Sequence, residues 1–182
     1  MKNNKFSILL TGNKIPDYLD TFSPKDGLRE DYNDFEWALE NYFYENNQIV
    51  KVGINNHELE TTLYTEVTSR FYYFLDMVNE LKLGKELRLS SLDVSEMDCE
   101  IRFTRISKEE VECDYWMNIV PEHTLLKDKV IFKVDYIIQV LEDFINGLLD
   151  DAISKEYITE SHKKEYWEPS DWVLNQPDME FK

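Results

Sequence analysis

Between Cys99 and Ile119 the chain alternates apolar and polar residues twice over. Side chains two apart on a strand share a face. Cys99, Ile101 and Phe103 therefore oppose Glu100, Arg102 and Thr104, while Val111, Cys113, Tyr115 and Met117 oppose Glu112, Asp114, Trp116 and Asn118. The pattern predicts two amphipathic strands with one solvated face, joined by the polar turn Ser107-Lys108-Glu109-Glu110. Paired about residues 108 and 109, the arms bring Arg102 and Arg105 across from Glu112 and Asp114 as exposed cross-strand ion pairs. Trp116 is the exception on the polar face, and lies either beneath another element or at a contact site.

The flanks fit around this hairpin. Phe6 to Leu10 reads as a short buried strand ended by Thr11-Gly12-Asn13. Residues 15–22 read as a helical turn or irregular segment, Ser23 to Gly27 as a turn and residues 27–33 as loop. Helical spacing of Phe35, Ala38, Leu39, Tyr42 and Phe43 predicts a helix from Asp34 to Asn46, with strand as the alternative for so aromatic a stretch. Gln48 to Tyr64 reads as a hairpin turning at Asn55-Asn56. A second helix is expected over Thr65 to Leu83, with Gly84 at its C′ position. Leu87 to Leu92 and Val130 to Val134 read as strands, and Asp135 caps a third helix reaching Ile153. Gly147 inside that helix costs about 1 kcal/mol against Ala, tolerable where it permits close packing. The predicted class is α+β: a mostly antiparallel sheet with about three helices packed on it, in a single domain spanning 1–182. Residues 154–182 form a C-terminal extension too rich in aromatics for a disordered tail, expected to wrap along the domain with a short helix before Pro169.

Composition sharpens this picture. The 182 residues are 42% hydrophobic and 14% aromatic, which argues against disorder and for one domain with a real core. No apolar run approaches the roughly 20 residues needed to span a bilayer, and the apolar stretch Phe6 to Leu10 is too short for a signal peptide. A cytoplasmic location is the expectation. The 37 acidic residues against 20 Lys and Arg give a formal charge of −17. Such a field disfavours direct binding to nucleic acid and favours a basic protein surface, although solubility alone also accounts for it. Cys99 and Cys113, set apart along the hairpin, fit buried thiols better than a disulfide.

The chemistry expected of known motifs is missing. His57, His123 and His162 stand in no metal-binding spacing, and the acidic run Asp93, Glu96, Asp98, Glu100 lacks the Gly and terminal Glu of a calcium loop. With 5 glycines there is no phosphate loop, and Thr11-Gly12-Asn13-Lys14 lacks the ending of one. No Ser or Cys nucleophile motif occurs. The sequence therefore predicts a protein that is not an enzyme, with no cofactor and no metal. An enzyme whose carboxylates are brought together only by the fold stays as an alternative. The four Trp, with 11 Tyr, exceed the evident needs of one core. Such residues are favoured at interfaces, and an aromatic patch rimmed by acids suits a basic partner; pinning of the C-terminal segment accounts equally well for Trp167 and Trp172.

The helix FLDMVNEL (Phe74 to Leu81), the strands CEIRFTRI and VECDYWMNI and the closing VIFKVDYIIQVLEDFINGLL together resemble the small acidic immunity proteins of bacterial polymorphic toxin systems. The resemblance is one of layout and composition, spans about Gln48 to Ile153, and transfers no site. It implies stoichiometric inhibition of a cognate toxin by binding, without catalysis or cofactor; the expectation is a cytosolic inhibitor of a basic toxin or nuclease domain, a monomer or small homo-oligomer. Candidate partner-binding residues are Glu100, Glu112, Asp114 and Trp116 on the polar face of the hairpin. Two further readings remain: a phage-type inhibitor mimicking nucleic acid, and a subunit that self-associates through the hairpin edge or Trp116.

Overall fold

A computed structural model describes residues 5–14, 34–64, 71–87, 91–94, 99–119 and 124–180. In chain order the elements are β1 (Phe6–Lys14), α1 (Asp34–Glu45), β2 (Gln48–Ile54), β3 (His57–Thr62), α2 (Phe71–Leu83), β4 (Ser91–Val94), β5 (Cys99–Arg105), β6 (Glu110–Ile119), β7 (Thr124–Lys133), α3 (Val134–Ser154), α4 (Glu160–Tyr166) and α5 (Asp171–Leu174). The class is α+β. The strands form two sheets, β1-β2-β3 and β4-β5-β6-β7. The chain divides into two compact units, one of residues 1–6, 72–142 and 169–182, the other of 7–71 and 143–168.

The first unit is built on the four-stranded antiparallel sheet. Alternation along β5 and β6 buries Ile101, Phe103, Val111, Cys113 and Tyr115, and β7 adds Val130 and Phe132 to the same face. Phe6 reaches this face, edge-on to Phe103 at 5.4 Å between ring centroids. Its main chain is clasped by Tyr136, whose hydroxyl accepts from the Phe6 N–H (3.1 Å) and donates to the Phe6 carbonyl (2.6 Å). Phe74, Leu75, Val78 and Leu81 are the buried stripe of α2, which ends at Gly84 with φ +73°. Beside α2 runs the C-terminal segment. Ser170 donates to Asp76, Gln176 to Glu80 and the Met179 N–H to the Gly84 carbonyl, while Val173 is fully buried.

The second unit contains β1-β2-β3, α1, α4 and the later turns of α3. The β2–β3 hairpin turns where Asn55 takes φ +54°, a left-handed conformation Asn tolerates. β1 runs antiparallel to β2: Thr11 Oγ1 donates to the Ile49 carbonyl at one end, and Ser7 lies against Gly53 at the other. A methyl at Gly53 would stand 2.6 Å from Ser7 Oγ, a hydroxyl that would have to rotate away to admit it. Aromatic rings run through this core in sequence, Phe35 on Tyr166, Tyr166 stacked on Phe71, Phe71 on Phe43 and Phe43 on Tyr42.

Several expectations are corrected. β1 continues through Thr11-Gly12-Asn13 to Lys14, and Leu9 on it is exposed. The β5–β6 register pairs Cys113 with Phe103 rather than Thr104, one residue away from pairing about 108 and 109. The sequence pattern itself requires this shift, because both apolar sets occupy odd positions and only an even sum of partners puts them on one face. Cys99 pairs with Met117, far down the ladder from Cys113. Glu110 opens β6 instead of ending the turn, and β7 starts at Thr124, well ahead of Val130. Leu87 lies outside a strand, β4 is described over Ser91–Val94, and Asp135 sits inside the first turn of α3. Gly147 meets nothing within 4 Å of where a Cβ would be, so close packing is not its reason. The readings for 15–33, 65–70, 88–90, 95–98 and His123 lie outside the described residues.

Candidate functional site

The four candidate residues share the outward face of the four-stranded sheet. Glu100 is paired with Trp116 across the ladder, Arg102 with Asp114 and Thr104 with Glu112. On the other side of β6, Lys127 stands opposite Trp116, Lys129 opposite Asp114, Ile131 opposite Glu112 and Lys133 opposite Glu110. The face is thus an alternation of charges, with an acidic central strand flanked by a basic outer one.

The side chains engage one another. Trp116 Nε1 donates to Glu100 Oε2 at 2.9 Å, and Arg102 donates to Glu100 Oε1 at 2.7 Å. These two bonds, Trp116 first, hold the Glu100 carboxyl below the ordinary glutamate range. Lys129 lies 2.7 Å from Glu112 and 3.6 Å from Asp114, and Lys133 lies 3.0 Å from Glu110 and 3.7 Å from Glu109. Hydrogen bonding to those carboxylates raises both lysines above the usual ammonium value. The four predicted residues are therefore brought onto one face, half-buried except for exposed Asp114, but three of the four are bound to cations of the same sheet. Chemically the face is a neutralised ladder of ion pairs.

The expected role of Arg105 changes most. Its odd position puts it on the buried face with Ile101 and Phe103, where Nη1 donates to the Leu81 carbonyl (2.9 Å), Nε to Ser107 (3.2 Å) and Nη2 to Lys108 (2.9 Å). It meets neither Glu112 nor Asp114 as an exposed partner. Instead it closes the C-terminal turn of α2 and the β5–β6 turn together, and burial lowers its pKa. The cations overlooked in the sequence are Lys127 and Lys129. They keep the same parity as Lys133, a signal hidden because the strand was expected to start at Val130.

A second polar cluster lies in the other unit. The Tyr42 hydroxyl donates to Asp151 Oδ2 at 2.7 Å, and Lys155 donates to the same oxygen at 2.7 Å and to Asn46 Oδ1 at 2.8 Å. Tyr157 donates to Glu45, and its ring stands edge-on to Tyr42. Burial and then the Asp151 bond push the Tyr42 phenol far above its usual range. Burial pushes Asp151 up, yet the Lys155 and Tyr42 bonds together outweigh it and hold the carboxyl low. These groups tie the C-terminal end of α1 to the end of α3. Of the histidines, His162 caps α4 through its Nδ1, which accepts from the Thr159 N–H. Among the described residues no group of three or more His, Cys, Asp or Glu is placed to hold a metal ion. No described helix is long and apolar enough to cross a membrane.

The tryptophans separate by environment. Trp37, Trp116 and Trp167 are half-buried, the last donating to Asn146 Oδ1 at 3.0 Å, whereas Trp172 is exposed. The C-terminal segment is thus held partly by Trp167, Val173 and Tyr166, while Trp172 faces outward. Searches for related sequences and folds found no family model, no curated protein and no solved structure that matches the chain.

Proposed function

We propose that this chain is a non-enzymatic, cytoplasmic binding protein of the immunity type, which neutralises a basic toxin or nuclease domain by stoichiometric binding. The observation that carries this reading is the way the −17 charge is distributed. The sheet face is balanced by its own lysines and Arg102. Helices α1 and α3 carry no Lys or Arg of their own: α1 has Glu36, Glu40 and Glu45, and α3 has Asp135, Glu142, Asp143, Asp150 and Asp151, of which Glu142, Asp150 and Asp151 are met by Lys82, Lys163 and Lys155 from outside the helix. Carboxylates in such excess speed and select encounter with a cationic protein surface.

Affinity purification of the tagged full chain from its native cell, followed by mass spectrometry, tests the proposal. The expected result is one basic protein in equimolar yield, released as salt is raised. Recovery of the chain alone, or with only acidic partners, would overturn it.

A further inference from the structure

We infer that residues 170–179 are a strap that releases α2 as one unit while the sheet stays folded, so that the intact protein has a minor state in which the strap is off. The strap begins where α4 has already closed on itself. The Trp167 and Glu168 N–H groups bond back into that helix, and Pro169 has no N–H with which to continue it. Tyr166 is buried and Trp167 donates to Asn146, so α4 keeps its own anchors when the strap leaves.

From Ser170 onward the chain follows one side of α2. The Ser170 hydroxyl donates to Asp76, the Gln176 amide to Glu80 and the Met179 N–H to the Gly84 carbonyl. These acceptors are spaced four residues apart, one turn of helix from each to the next. Lys85 closes the far end, donating to the Gln176 carbonyl at 2.8 Å and to Asp178 at 2.7 Å. Apolar anchorage is thin by comparison. Among the described residues 169–180 Val173 alone is buried, and its neighbours Trp172 and Leu174 are 50% and 53% exposed. Bonds exchanged for bonds to water add little net hold, so Val173 is the main anchor. The sheet beneath is different, with Ile101, Phe103, Val111, Cys113 and Tyr115 buried in register. A segment tethered so lightly beside a core so closed opens well below the free energy of global unfolding. Release withdraws Gln176 from the Glu80 carboxylate, which is 1% exposed in the closed molecule. Nothing in this device requires a partner.

The test is native-state hydrogen exchange of the full-length chain, followed amide by amide by NMR. The Leu174, Asn175 and Met179 amides, bonded to Ser170, Asp171 and Gly84, should exchange at least about a hundredfold faster than those of Cys113 and Tyr115 on the central strand. Lys85→Met acts at one end of the strap and Val173→Ala near the other. Each should speed all three strap amides by the same factor, about tenfold. Tyr136→Phe, which loosens the sheet through Phe6, should speed Cys113 and Tyr115 and leave the strap amides as they are. Strap amides that exchange at the sheet's rate, or that follow Tyr136→Phe, would show that the segment leaves only on global unfolding and overturn the strap. Acceleration of Met179 alone by Lys85→Met would show a fraying end and overturn release as a unit.

Discussion

Arg105 shows how one side chain can knit elements that a strand pattern treats separately. Replacing it by Met would leave the carbonyls of Leu81, Ser107 and Lys108 without their charged donor. Charge-assisted bonds of this kind contribute about 1.5–3 kcal/mol each at most, so Arg105→Met should cost roughly 2–4 kcal/mol in urea unfolding. Tyr136→Phe removes both bonds to the Phe6 main chain and should cost about 1–3 kcal/mol by the same measurement. Asp151 makes a prediction about pH. Its carboxyl is held low in the folded chain, so its stabilising contribution is complete above the ordinary aspartate value of about 3.9 and disappears as pH falls through the lowered one. Asp151→Asn should therefore be less stable near neutrality and lose less on acidification; equal acid slopes in the two proteins would refute this. None of this cluster was legible beforehand. Tyr42 and Asp151 are 109 positions apart, and nothing local in either stretch announces the other. The charge of Arg105 predicts an exposed ion-pair partner, a misreading, since its parity with Ile101 and Phe103 places it on the buried face.

At the scale of elements, period and alternation located most of the structure. The helix over Asp34–Glu45 and the hairpin from Gln48 follow from spacing of the apolar positions and from Asn55. So do the pair Cys99–Arg105 and Glu110–Ile119 and the long helix over Val134–Ser154. Boundaries were less visible where a strand keeps its alternation but trades apolar residues for lysine, as β7 does over Lys127, Asp128 and Lys129. Those lysines also suit β7 as the outer strand among the described residues, since charge on an edge strand discourages the addition of another chain. In α3, Gly147 occupies an exposed helical position with space around its Cα. Gly147→Ala should stabilise the protein by about 1 kcal/mol, a rise in melting temperature of a few degrees, because the unfolded chain loses freedom and the folded one loses nothing.

For the whole molecule, the class was legible and the partition was not. Strand and helix periods describe neighbours along the chain, whereas the two units are assembled from five separate stretches. Removal of residues 169–182 should be strongly destabilising. It uncovers Glu80 and empties the site of fully buried Val173, whose side chain alone contributes about 1.5–3 kcal/mol; a truncated chain that melts with the intact one would show the segment to be dispensable. The same interleaving governs the order in which the protein can be made. The first unit draws on residues 1–6 and 169–182, so a nascent chain that has already released β5, β6 and β7 from the ribosome still lacks part of that unit. Native assembly of that unit needs residues 1–6, 72–142 and 169–182 together, contacts of long sequence separation that slow folding.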